Sequence, residues 1–228
     1  MGKLFGTDGV RDRANQGNMT AETAMKLGRA VALDFKDQAK GDTWPAIVIG
    51  RDPRLSGTML ESALAAGVCS AGVDAHLLGV VPTPAVAVLA VQTGAIGGLM
   101  VSASHNPYFD NGIKVFKGDG FKLSDAEEKS IEQLFFSEGQ ELPVDDGVGT
   151  VFQLGNASEI YADFCVGIFD EDNPLSGLKL VLDCSNGATS VCAESVFAEL
   201  GATVTMIHNT PDGININDNC GSQHTESL

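Results

Sequence analysis

Four stretches decide the fold: A-I-V-I-G at 46–50, T-M-L-E-S-A-L-A-A-G-V-C-S-A at 58–71, V-D-A-H-L-L-G at 73–79 and A-I-G-G-L-M-V at 95–101. The short apolar runs read as buried strands. The longer stretch, with Met59, Leu60, Ala63, Leu64, Val68 and Ala71 apolar, reads as a helix that Gly72 stops. A second helix over 84–93 links the later two strands. Strand, helix, strand, helix, strand predicts an α/β chain with a mixed, mainly parallel sheet sandwiched between helices.

Working outward, Thr20 caps a helix running to about residue 36, with Met25, Leu27, Val31 and Phe35 among its apolar positions. Segment 113–117 (I-K-V-F-K) alternates like a strand, and Ser124 with Glu127 forms a capping box opening helix 124–136. Residues 137–156 hold Gly139, Pro143, Gly147, Gly149 and Gly155, the composition of a boundary. The expected organisation is one complete domain over 1–145, then a second, incomplete α/β domain of similar type over 146–228. That second unit reads as helix 157–169, strand 178–183, helix 187–200 and strand 202–207. The two units end their crossovers alike, which hints at duplication, although any α/β chain could do the same. The tail, 209–228, offers turn formers without a closing helix or strand, and one strand–helix–strand unit is too small to bury its own core.

Of the 228 residues 43% are apolar and 19% charged, which excludes disordered and fibrous chains. No apolar run reaches the roughly 18 residues of a membrane helix, and the start lacks the apolar stretch of a secretory signal. Five scattered cysteines without a C-x-x-C pair predict reduced thiols in the cytoplasm and argue against a zinc site or disulfide framework. The net charge of −16 is uneven: residues 1–129 sum to −1, and residues 130–228 to −15. Such a field repels nucleic acid and anionic membranes, so neither is an expected partner. An anionic ligand must be met by cations of the first half.

The densest polar cluster, S-A-S-H-N-P-Y-F-D-N-G at 102–112, follows the last apolar strand. Open parallel sheets bind ligands beyond the carboxyl ends of their strands. The cluster is therefore either a catalytic loop or a polar turn with Asn-Pro and Asn-Gly as punctuation. Serine hydrolase chemistry is disfavoured, because G-x-S-x-G is absent and His105 cannot easily reach back to its own neighbour. Loop 50–57, G-R-D-P-R-L-S-G, is either a salt-bridged turn or an anion site at a helix start capped by Ser56 and Gly57. Arg11 follows two glycines that permit close backbone approach. His76 reads as structural, His208 and His224 lack ligand spacing, and Asp183, Asn186 and Gly187 read as a turn into a helix.

Together these segments resemble the α-D-phosphohexomutase superfamily, most closely its bacterial branch acting on glucosamine phosphates. The matching pieces are F-G-T-D-G-V-R (5–11), G-R-D-P-R-L-S-G (50–57), G-V-V-P-T-P-A-V-A (79–87), S-A-S-H-N-P (102–107) and D-N-G-I-K-V-F (110–116). They continue with D-C-S-N-G-A (183–188), P-D-G-I-N-I-N (211–217) and C-G-S (220–222), in order along essentially the whole chain.

The resemblance implies phosphoryl transfer between the 6- and 1-oxygens of a hexose through a phosphoserine, a reorienting sugar 1,6-bisphosphate that also serves as activator, and Mg²⁺. In this branch glucosamine 6-phosphate becomes glucosamine 1-phosphate for UDP-N-acetylglucosamine and cell-wall synthesis. It places the phosphoserine, also a metal ligand through its phosphate, at Ser104, the acid/base at Lys114, a phosphate-binding cation at Arg11, and His105 in the same loop. To act as a base near neutrality Lys114 needs a depressed pKa. A homodimer is the implied assembly. Asp12 and Pro53 depart from the family's usual Gly and Thr, and Asp12 is expected to weaken Arg11's hold on phosphate. The metal loop D-G-D-x-D-R and the sugar-selecting E-x-S-G-H loop occur nowhere, and R-L-S-G-T at 54–58 only imitates the family's R-x-S-G-T-E loop. The chain is thus expected to stop short of the metal loop and to be inactive alone. The rivals are a mutase of mannose or glucose phosphates, and a non-catalytic phosphate-binding or interaction module.

Overall fold

The computed structural model describes residues 4–7, 9–38 and 44–228. Its strands are β1 (Val10–Arg13), β2 (Ala46–Arg51), β3 (Asp74–Val80), β4 (Gly97–Val101), β5 (Asp110–Lys117), β6 (Val151–Gln153), β7 (Lys179–Asp183) and β8 (Thr203–Ile207). Its α-helices are α1 (Ala21–Phe35), α2 (Gly57–Ser70), α3 (Thr83–Thr93), α4 (Asp125–Phe136), α5 (Ala157–Val166) and α6 (Ala193–Glu199).

Six strands form one sheet in the order β1-β5-β4-β2-β3-β6. Pairs β2–β3, β2–β4 and β3–β6 are parallel, whereas β5 runs antiparallel to both β4 and β1. The sheet is mixed and mainly parallel, as the sequence predicts. Its central strands are buried on both faces, which is why β2 and β4 read as unbroken apolar runs. Ile47, Ile49, Leu99, Val101 and Ile113 point into a core shared with α1, α2 and α4. Val48, Met100 and Phe116 point the other way, onto α3.

Local chemistry sets the helix ends. The Thr20 hydroxyl accepts from the Thr23 N–H, and Ser124 and Glu127 complete their capping box. Helices α1 and α2 pack closely because Gly67 lacks a side chain: a Cβ there would lie 1.9 Å from the Met25 carbonyl oxygen.

Two strands join those expected, and one expected helix is corrected. β1 and β6 were not legible in the sequence. β6 lies beyond residue 145 yet pairs with β3, so segment 137–156 contributes a strand to the first sheet as well as a connection. The helix expected over 187–200 divides into a 3₁₀ turn, Ala188–Val191, and the short α6, with Cys192 between them at φ −138°. Strands β7 and β8 pair parallel in a separate two-stranded sheet. The tail holds no helix or strand beyond one 3₁₀ turn, Gly221–Gln223.

Candidate active site

The 102–112 cluster leaves the carboxyl end of β4, turns, and returns as β5. Ser102 and Ala103 are buried, and Ser104 and His105 emerge into solvent. Ser104 adopts a left-handed backbone, φ 56°, rare for a residue with a β-carbon and common where a functional group must be aimed. Its N–H donates to the Ser102 Oγ at 3.1 Å, and the Asn106 N–H to the Ala103 carbonyl at 3.1 Å.

The antiparallel return brings Lys114 back alongside. Its register partner is Met100, and its Nζ donates to the Ser104 Oγ at 3.1 Å and to the Ser102 carbonyl at 3.4 Å. Arg11, on β1, lies opposite Gly112. Residues two apart on a strand share a face, so Arg11 sits on the Lys114 side. Gly112 keeps the approach close: a Cβ there would lie 3.0 Å from both the Ser102 and Val10 carbonyl oxygens and 3.7 Å from the Arg11 Cγ. Ser104, Lys114 and Arg11 are therefore gathered at one end of the sheet. His105 is adjacent and exposed, and its ring makes no hydrogen bond among the described residues.

Asp12 does not face Arg11's task as expected. Its carboxylate accepts from the Asn18 N–H at 3.0 Å and the Arg13 N–H at 2.8 Å, which pins the turn after β1 and holds its pKa below the usual value. Asp8, within F-G-T-D-G-V-R, lies outside the described residues.

Loop 50–57 is the salt-bridged turn and more. Arg54 is 1% exposed and pairs with Asp52 at 2.9 Å through Nε. Its Nη1 donates to the carbonyls of Pro107 and, at 3.1 Å, Asp110; its Nη2 donates to those of Ser104 at 3.1 Å and Asn106 at 2.9 Å. All five guanidinium N–H donors are thus used. Ser56 does not cap α2 through its side chain; its hydroxyl accepts from the Asn111 amide at 2.9 Å instead. Beside them Arg51 pairs with Glu61 at 3.1 Å, yet burial pushes the Glu61 carboxyl above its usual value, and its Oε1 has no partner among the described residues.

The second unit also reaches this loop. Asn217 donates its amide to the Ser104 carbonyl at 2.9 Å and the Asn106 carbonyl at 3.0 Å, and the Leu55 N–H donates to the Gly213 carbonyl at 2.9 Å. The turn read at Asp183, Asn186 and Gly187 secures that tail. Asp183 accepts from Gly221 N–H at 2.8 Å, and Asn186 Oδ1 from Thr210 N–H at 3.2 Å. Sequence reading missed Arg54 and Asn217 as loop partners. The only signal was that both lie in segments with the same resemblance as the serine loop.

His76 meets Phe152 edge-on at 5.4 Å, the structural role expected of it. The five cysteines are unpaired. Among the described residues no three of His, Cys, Asp and Glu come together to hold a metal ion. Among the described residues these side chains therefore do not make a Mg²⁺ centre. No helix is long and apolar enough to cross a membrane among the described residues.

The sequence profile described as phosphoglucomutase/phosphomannomutase, alpha/beta/alpha domain I, matches residues 2–142. A phosphoglucosamine mutase of Syntrophus aciditrophicus (strain SB) is 50% identical over 230 residues, covering all of this chain and 51% of that protein. One of Citrifermentans bemidjiense is 51% identical over 230 residues, covering all of this chain and 50% of that protein. The chain thus spans about half the length of the curated relatives it matches. A crystal structure of a phosphoglucomutase/phosphomannomutase family protein from Burkholderia thailandensis superposes with a TM-score of 0.75 at 28% identity, over 92% of this chain and 44% of that one. With its sheet order, its serine loop and the profile match in agreement, the chain belongs to the phosphoglucomutase/phosphomannomutase family.

Proposed function

We propose that this chain carries the phosphoryl-relaying part of a phosphoglucosamine mutase, an isomerase that interconverts glucosamine 6-phosphate and glucosamine 1-phosphate. One observation carries the reading: the Lys114 Nζ stands 3.1 Å from the Oγ of an exposed, left-handed Ser104. The names of the relatives at about half identity favour glucosamine over mannose or glucose phosphate as substrate.

Starting from phosphorylated Ser104, the 1-hydroxyl of glucosamine 6-phosphate attacks phosphorus and the P–Oγ bond breaks. The proton leaving the sugar hydroxyl ends on the serine oxygen, and Lys114 is placed to carry it. The bisphosphate turns over, its 6-phosphoryl group returns to Ser104, and the same proton path runs backward. Such transfer is catalysed mainly by positioning and charge stabilisation. A phosphoserine holds nearly two negative charges, which Lys114 and Arg11 offset in a chain of net −16. His105 borders the phosphate and helps orient it. Mg²⁺, when bound, would neutralise further phosphate charge, with its carboxylate ligands coming from outside the residues described.

The rest of the reading follows the same line. The chain divides into a first domain over 1–145 and a second over 146–228, with β6 tying the second back to the first sheet. The setting is cytoplasmic, in keeping with unpaired cysteines. The partners are the sugar phosphates, the 1,6-bisphosphate as activator, and a second copy in a homodimer; nucleic acid and membrane are not partners.

The test is incubation of the chain with glucosamine 1,6-bisphosphate and Mg²⁺, followed by intact mass and peptide mapping. The expected result is one added phosphate on Ser104, absent in Ser104→Ala. No label on the wild-type chain would overturn the reading in favour of a passive phosphate-binding or interaction module. In a coupled assay the chain alone is expected to fall far below about 1 turnover per second, a modest enzyme rate.

A further inference from the structure

The carbonyl oxygens of Ser104 and Asn106 each receive two donors from different parts of the chain: the Arg54 Nη2 from the loop after β2, and the Asn217 amide from the second unit's tail. Neither donor touches the Ser104 hydroxyl, yet both hold the peptide planes that determine where it points. Left-handed φ costs a non-glycine residue energy, so Ser104 stays at 56° only where its surroundings enforce it. Arg54 is spent entirely on this enforcement and on Asp52. Asn217 is itself fixed: its N–H donates to the Ser185 carbonyl at 2.9 Å, and the preceding Ile216 is buried.

We infer that Arg54 and Asn217 are positioning residues. They form a shared carbonyl clamp that sets the backbone of Ser104 and so aims its oxygen at Lys114, and through Asn217 the clamp makes that aim depend on where the second unit sits. The inference rests on the phosphoserine reading for its catalytic consequence, but the clamp is measurable without it.

Asn217 offers the cleaner test, because Arg54 is buried and its loss could unfold the chain. At φ 59° Asn217→Gly removes the amide without backbone strain, and Asn217→Asp keeps the shape while replacing the donor with an acceptor. Asn219→Gly is the control: it too is left-handed, at φ 52°, but its amide donates only to Asp218. In the full chain, amide hydrogen exchange at Ser104 and Asn106 is expected to accelerate about ten- to a hundredfold in Asn217→Gly, which loses both of the amide's hydrogen bonds to the loop. It should accelerate at least as much in Asn217→Asp and stay unchanged in Asn219→Gly. Labelling of Ser104 by glucosamine 1,6-bisphosphate should slow in the same order.

Unchanged exchange in both Asn217 variants overturns the clamp, as does an equal effect in Asn219→Gly. Changed exchange with unchanged labelling also overturns it, since the loop would then move without consequence for the hydroxyl. A wild-type chain that takes no phosphate removes the phosphoserine reading, while the exchange comparison still decides the clamp.

Discussion

The two sheets of this chain follow one grammar, strand then helix then strand, and differ in what covers them. In the six-stranded sheet, Ile47, Val48, Ile49, Leu99, Val101 and Ile113 have no exposed surface, and helices lie on both faces. In the two-stranded sheet, Val181 in the middle of β7 remains about half exposed, at 53%. Parallel strands need cover on both faces, and a pair of strands alone is marginal. Ser104 is mounted on the covered sheet, in the loop between β4 and β5. The second unit meets the serine loop through hydrogen bonds from tail to loop, above all those of Asn217.

The sharpest way to break this contrast is to make the same truncation in both sheets. Leu99→Ala, in the centre of β4, should destabilise the chain by about 2–5 kcal/mol, as for a fully buried leucine whose cavity cannot collapse. Leu182→Ala, half-buried in β7, should cost about 1 kcal/mol. Urea unfolding of the two variants measures both, and equal costs would mean that the second sheet is packed as tightly as the first.

The same difference governs what was legible in the sequence. β2, α2, β3, α3 and β4 could be read because burial on both faces writes continuous apolar runs and glycine stops. β1 could not: V-R-D-R carries three charges in four residues, and its pairing with β5 is decided by Gly112 and the neighbouring loop rather than by its own pattern. β6 is three exposed residues whose place is set by β3. At the site, residue types and motif order pointed to Ser104 and Lys114. Nothing local to R-D-P-R announced that Arg54 would spend its donors on carbonyls some fifty residues away, because backbone acceptors leave no mark in a sequence. Asp12 shows the converse, an acid read as Arg11's competitor that is occupied by two backbone N–H groups.

A smaller effect comes from Glu61, a buried carboxylate with one oxygen unpartnered among the described residues. Burial raises the Glu61 pKa, with Arg51 only partly opposing it. The folded state therefore binds a proton at Glu61 more readily than the unfolded chain does. That contribution to stability is whole below the unfolded value near 4.5, and it is lost as pH rises through the higher folded value. Wild-type stability should decline through this window relative to Glu61→Gln, which has no proton to lose. Parallel stability–pH curves from chemical denaturation would show that water or Arg51 fully compensates the charge, and that the first region's end is less dry than its centre.

The smallest expected effect is the most telling about the second sheet. Val181→Thr changes one methyl to a hydroxyl on the exposed face of β7, and should alter stability by no more than about 0.5 kcal/mol, as for an uncovered surface position. Denaturation at low and high protein concentration checks this. A cost that grows with concentration would mean that a second copy covers the face, because only a covered position makes a hydroxyl expensive. The two sheets would then differ in which molecule supplies the cover, rather than in whether they have any.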